Sequence, residues 1–169
     1  MSDIIGNPLM VDQVGKIFAS LYENMDIDAV MTVATKGIPL AQATARFLNV
    51  PMVIVRKDYR ITEGSTVSIN YVSGSSKRIQ TMLLSRKSLK EGSKVLIVDD
   101  FMKAGGTISG MISLLKEFGA HCAGIGVLVE AEDVENRLVE DYTSIVKLKY
   151  TDEKIDAEPG NFLDGSWEE

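Results

Sequence analysis

The chain has 169 residues, 45% of them apolar, with 18 basic and 24 acidic side chains and a net charge of −6. That length suits one domain with one core, and no run approaches the roughly 20 apolar residues of a membrane-spanning helix. The acidic balance argues against nucleic-acid binding by bulk charge.

The opening Met1-Ser2-Asp3 lacks a cationic stretch followed by an apolar one, so no secretory leader is expected. Asn7-Pro8 predicts a helix start, with Val11, Val14, Ile17, Phe18 and Leu21 at helical spacing behind it. Ala29–Ala34 is a short β-branched apolar run that predicts a buried strand, followed by a helix over 38–48. Met52–Val55 predicts a second strand. Residues 66–72 (TVSINYV) and 78–84 (RIQTMLL) flank Ser73-Gly74-Ser75-Ser76, the pattern of a hairpin with a flexible tip. Val95–Val98 predicts a third buried strand, and Ile108–Phe118 a helix closed by Gly119. Ala123–Val129 predicts a fourth strand, 133–141 a helix and 144–150 a strand, while the tail from Pro159 has little periodicity. The single thiol, Cys122, falls in an apolar stretch; it excludes an internal disulfide and fits a reducing cytoplasm. Strands alternating with helices predict an α/β fold, with a largely parallel central sheet flanked by helices and one β-hairpin. In such sheets ligands bind beyond the carboxyl ends of strands, so the loops there are the candidates for chemistry.

The strongest of these is VLIVDDFMKAGGT, residues 95–107. An apolar strand runs into Asp99 and Asp100, then into a loop of small residues, then into a helix. Glycines at 105 and 106 let the backbone approach an anion closely. The amides of Ala104, Gly105, Gly106 and Thr107 sit at a helix start, where the dipole favours a phosphate, and the Thr107 hydroxyl adds a donor. Two carboxylates beside such a pocket suit a ligand with vicinal hydroxyls, such as a ribose. The loop after the first strand, Ala34-Thr35-Lys36-Gly37-Ile38-Pro39, offers a cation at Lys36 and backbone freedom at Gly37; alone it reads as an ordinary turn. Charge is unevenly spread as well. Residues 1–129 carry 14 basic and 11 acidic side chains, whereas 130–169 carry 4 and 13. Between 56 and 90, Arg56, Lys57, Arg60, Lys77, Arg78, Arg86, Lys87 and Lys90 face only Asp58 and Glu63. This is either a solvated basic face or the binding surface of a small polyanion. No G-x-x-x-x-G-K-[ST] loop is present, which argues against a nucleotide kinase.

Residues 95–107 resemble the signature of type I phosphoribosyltransferases that binds phosphoribosyl pyrophosphate (PRPP). That resemblance implies Asp99 and Asp100 on the ribose hydroxyls, and Lys103, Ala104, Gly105, Gly106 and Thr107 around the 5-phosphate. The Lys-Gly-Ile-Pro stretch is similar to the pyrophosphate loop of the family. It implies Thr35, Lys36 and Gly37 on pyrophosphate, joined by Arg56 and Lys57, with Mg²⁺ arriving on the ligand. The hairpin matches the flexible loop that closes over PRPP, which implies roles for Tyr71, Lys77 and Arg78. Two positions depart from the enzymes: Phe101 is bulky, and Lys103 stands where hypoxanthine enzymes place an aspartate. A lysine, cationic at neutral pH, is a poor general base.

A narrower resemblance covers nearly the whole chain. MTVATKGIPLA, VPMVIVRKD, EGSTVSINYVSGSSKRIQTM, VLIVDDFMKAGGTISGMISLL and GIGVLVEAE are similar to the effector domain of the purine operon repressors of Gram-positive bacteria. It implies a homodimer in which PRPP relieves repression without catalysis, with (p)ppGpp as a further occupant of the same site. It leaves no residue with a catalytic role; a xanthine or adenine phosphoribosyltransferase is the alternative. Those repressors carry an N-terminal winged-helix domain. The resemblance here begins within the first ten residues, so residues 1–169 are expected to form one effector domain. Operator DNA is then reached only through a domain not present in this chain.

Overall fold

A computed structural model of the chain describes residues 2–57, 64–73, 77–132 and 134–163. The elements run α1 (Ser2–Ile5), α2 (Pro8–Tyr22), β1 (Ala29–Val33), α3 (Ile38–Leu48), β2 (Met52–Val55), β3 (Thr66–Val72) and β4 (Ile79–Ser85). They continue with β5 (Lys94–Met102), α4 (Gly106–Glu117), β6 (His121–Ala131), β7 (Thr143–Tyr150) and β8 (Ile155–Pro159). Six strands form one sheet in the order β2-β1-β5-β6-β7-β8. All neighbouring pairs are parallel except β7 with β8. β3 and β4 form a separate antiparallel hairpin.

Helix α2 begins where the Asn-Pro pair predicts, with the Asn7 side chain accepting from Leu9 N at 3.1 Å. Its apolar stripe and that of α3 cover one face of the sheet, where Phe18, Leu40, Val30, Leu96, Val98 and Leu128 are buried together. Helix α4 and the hairpin cover the other face, over Met31, Val55, Ile97, Val127, Met82 and Met111. The strand β1–α3–β2 crossover thus lies on one face and β5–α4–β6 on the other. The chain winds outward in both directions from the adjacent pair β1 and β5, which makes their carboxyl ends a topological switch point. The ladder between these two stops at Met31 and Ile97, while β5 continues to Met102 paired only with β6. The two chains therefore part above that level and open a crevice.

Three expectations need correction. β5 does not stop at Val98: Asp99 pairs in register with Val127 and Met102 with Glu130, so the acid pair lies within the strand. Residues 134–142 form no helix. Asn136 adopts φ 57°, and the Leu138 N–H donates to Ala104 O at 2.8 Å, outside its own segment. β8 was not expected at all. It is five residues long and mostly exposed, so it buries little apolar surface to announce it, and it is held as an edge strand by its antiparallel ladder to β7, with Lys147 opposite Glu158 and Lys149 opposite Asp156. The hairpin tip at 74–76 lies outside the described residues, as do Asp58, Arg60 and Glu63. Among the described residues no helix is long and apolar enough to cross a membrane.

Candidate functional site

The crevice above β1 and β5 holds a cavity of about 520 Å³. Ala34 to Lys36 line one side, Asp99 to Ile108 the other, and Lys57 projects from the end of β2. Helix α4 points its N-terminus at it. Helix α4 begins at Gly106 with Gly105 as its cap at φ 89°, a left-handed conformation that a side chain would strain. Its first intrahelical bond is Ser109 N to Gly105 O at 2.8 Å, and no side chain caps it. The amides of 106–108 therefore have no acceptor within the helix and face outward as an anion cradle. Helix α3 begins at Ile38, its first bond running from Ala41 N to Gly37 O at 3.0 Å, but it offers no matching cradle, because Ile38 N donates to Thr35 O at 3.2 Å and Pro39 has no N–H.

Asp99 is buried, at 7% exposure. Its Oδ1 accepts from Asp100 N at 2.9 Å. Burial, and then the charge and hydrogen bonding of Asp100, push the Asp99 carboxyl well above the usual carboxylate range, with Lys57 opposing. A carboxylate held in so unfavourable a setting gains from any ligand that offers hydroxyl donors. Gly37 packs beneath the loop. A Cβ there would lie 2.3 Å from Thr32 Oγ1 and 3.3 Å from Asp99 Oδ1, so only glycine lets the loop backbone settle this low. The Thr32 hydroxyl is fully buried and has no hydrogen-bond partner among the described residues.

The structure thus gathers Thr35, Lys36, Lys57, Asp99, Asp100, Lys103, Ala104, Gly105, Gly106 and Thr107 around one cavity. Gly37 sits under it. Arg56, Tyr71, Lys77 and Arg78 do not line it. Arg56 exchanges backbone hydrogen bonds with Leu83 at 3.0 and 2.8 Å and ties the hairpin to β2. Tyr71, expected with the flexible loop, is instead a buried strand residue. Its ring packs against Gly110 of α4, and its hydroxyl donates to Gln80 Oε1 at 3.0 Å. Lys77 and Arg78 are exposed beside the tip.

Sequence reasoning missed two parts of the site. One is Thr32, whose only signal was a hydroxyl inside an apolar run. The other is Val139, whose Cγ2 would lie 3.1 Å from a Cβ on Gly105; no local pattern announces a contact across that separation.

The phosphoribosyl transferase domain model matches residues 1–160. The chain is 63% identical over 166 residues to the purine biosynthesis transcriptional repressor PurR of Bacillus subtilis, covering 96% of this chain and 58% of that protein. It is 49% identical to the purine biosynthesis transcriptional activator PurR of Lactococcus lactis, covering 96% and 61%. The xanthine phosphoribosyltransferase of Lactococcus lactis is 31% identical over 162 residues, covering 92% and 82%. The adenine phosphoribosyltransferase of Giardia lamblia, solved with 9-deazaadenine, superposes with a TM-score of 0.77 at 25% identity, over 86% of this chain and 83% of that one. The chain therefore spans about three fifths of the length of the regulators it matches.

Proposed function

The chain belongs to the phosphoribosyl transferase domain family, and we propose that it is the PRPP-sensing part of a purine biosynthesis transcriptional repressor. One observation carries the ligand assignment: the uncapped N-terminus of α4, the acid pair and the loop at 34–36 line a single cavity at the switch point of the sheet. The 5-phosphate takes the amides of 106–108 and the Thr107 hydroxyl, with Lys103 at the rim. The ribose hydroxyls donate to Asp99 and Asp100. The pyrophosphate takes the loop at 35–37, with Lys36 and Lys57 supplying charge.

Among the described residues no three His, Cys, Asp or Glu side chains cluster as a metal site. Asp99 and Asp100 still place carboxylate oxygens beside the cavity, which fits Mg²⁺ carried in on ligand phosphates rather than caged by protein. Bound there, the ion would neutralise pyrophosphate charge. The reading extends to a homodimer in the cytoplasm, to (p)ppGpp as a competitor for the same site, and to operator DNA contacted through chain beyond these 169 residues.

The regulatory half of the reading is supported by the 63% identity to a repressor and by Lys103, a poor base for handling a purine ring. The 31% identity to a xanthine enzyme supports the competing reading, a purine phosphoribosyltransferase. Turnover decides between them. Incubation with PRPP, Mg²⁺ and each of adenine, guanine, hypoxanthine and xanthine is expected to yield no nucleotide. Formation of a nucleotide from any of the four would make the chain an enzyme.

A further inference from the structure

Behind the cavity lies a buried polar knot that the proposed function does not use. Glu130, at the end of β6, is 2% exposed. Its carboxylate accepts from Arg137 Nη1 at 2.7 Å, from Ser144 Oγ at 2.9 Å and from the Tyr142 hydroxyl, and Lys147 Nζ stands 3.7 Å away. Arg137 also donates to Ala131 O and to the Tyr142 hydroxyl. Asn161 closes the far side: its Nδ2 donates to Tyr142 O at 2.7 Å, and its Oδ1 accepts from Ser144 N at 2.7 Å.

A charge this buried is tolerated only with partners, and here every partner comes from one segment or from the strand that follows it. The guanidinium thus ties an irregular segment, 134–142, back to the strand that precedes it. The next two residues touch the phosphate cradle. Leu138 N donates to Ala104 O at 2.8 Å, and Val139 packs against Gly105.

We infer that Arg137 is a positioning residue for the anion cradle at 104–107: clamped by Glu130, it holds Leu138 and Val139 against Ala104 and Gly105 and so fixes the loop whose amides face the ligand. This rests on the reading that the 5-phosphate occupies that cradle. The consequence is selective. Loosening the knot disturbs the 5-phosphate subsite and leaves the loop at 35–37, on the other side of the cavity, in place. A knot that served only stability would affect both subsites alike or neither.

Two fragments of PRPP separate these cases. Ribose 5-phosphate reports on the cradle and the acid pair, and inorganic pyrophosphate reports on the loop at 35–37. By calorimetry, Arg137→Met is expected to weaken ribose 5-phosphate roughly tenfold and pyrophosphate by less than about twofold. Val139→Ala keeps the ion pair but removes the contact with Gly105. It is expected to show the same selectivity with a smaller loss, and it carries the test if Arg137→Met does not fold. Equal weakening of both fragments, or of neither, would overturn the inference. A wild-type chain that binds pyrophosphate but ignores ribose 5-phosphate would instead overturn the cradle assignment, and the inference with it.

Discussion

Replacing Asp99 and Asp100 together by alanine is expected to weaken PRPP binding at least ~100-fold, while Asp99→Asn alone makes the free protein more stable at neutral pH. The first effect follows from charge-assisted hydrogen bonds, worth about 1.5–3 kcal/mol each, lost from two carboxylates, at about 1.4 kcal/mol per factor of ten. The second follows from where Asp99 sits. Burial and the neighbouring acid raise its carboxyl above the range of the unfolded chain. The folded state therefore holds that proton more tightly than the unfolded state does. Stability present while Asp99 is neutral is lost as pH rises from the unfolded value, about 3.9, through the raised folded one. An amide never ionises, so Asp99→Asn escapes the loss. Its Tm is expected to exceed that of the parent chain at pH 7, and the gain is expected to vanish by about pH 3, roughly one unit below the unfolded value, where the carboxyl is neutral in both states. Thermal melts at the two pH values check this. A variant that is less stable at pH 7 would show that the carboxylate is well paired in the free protein. The same linkage makes PRPP affinity rise with pH through the Asp99 titration, because ligand hydroxyls favour the ionised form.

Gly37→Ala is the second large effect. The new Cβ would meet Thr32 Oγ1 at 2.3 Å in a fully buried position, so either the strand residue or the loop must give. Overpacking of this kind costs about 1–3 kcal/mol. Lifting the loop also displaces the pyrophosphate subsite, so PRPP affinity is expected to fall at least ~10-fold. The collision has one dominant partner, and this makes the explanation testable by a double-mutant cycle. In a Thr32→Ala background the obstructing hydroxyl is gone, and Gly37→Ala is expected to lose most of its effect, with a coupling of roughly 1–2 kcal/mol read from urea titrations. Additive losses would place the damage elsewhere in the loop.

The parts of this site legible in the sequence are those whose chemistry is local. An apolar strand, two acids, small residues and a helix follow one another within 95–107, and each step has its own physical reason. Lys36 and Gly37 were legible as a turn, and they gained meaning only from their place at the end of the neighbouring strand. The end of β5 was misread because Asp99 and Asp100 look like the close of an apolar run, whereas β6 keeps pairing with that strand up to Met102. Tyr71 was misplaced because position within a hairpin does not reveal which face packs on α4, and Gly110 makes room for its ring. The knot around Glu130 was invisible for a stronger reason. Its members are spread from 130 to 161, over the end of β6, an irregular segment, β7 and the residues after β8, so no local pattern gathers them. A helix over 133–141 was a fair expectation from spacing alone; the buried carboxylate and the contacts with Ala104 and Gly105 outweigh it.

The central claim is that two loops from adjacent strands form one PRPP site. Calorimetric titration with PRPP and Mg²⁺, repeated in the presence of pyrophosphate and of ribose 5-phosphate, tests it most directly. The expected result is saturable binding of one PRPP per chain, displaced by either fragment. A flat titration, or PRPP binding that neither fragment displaces, would contradict it.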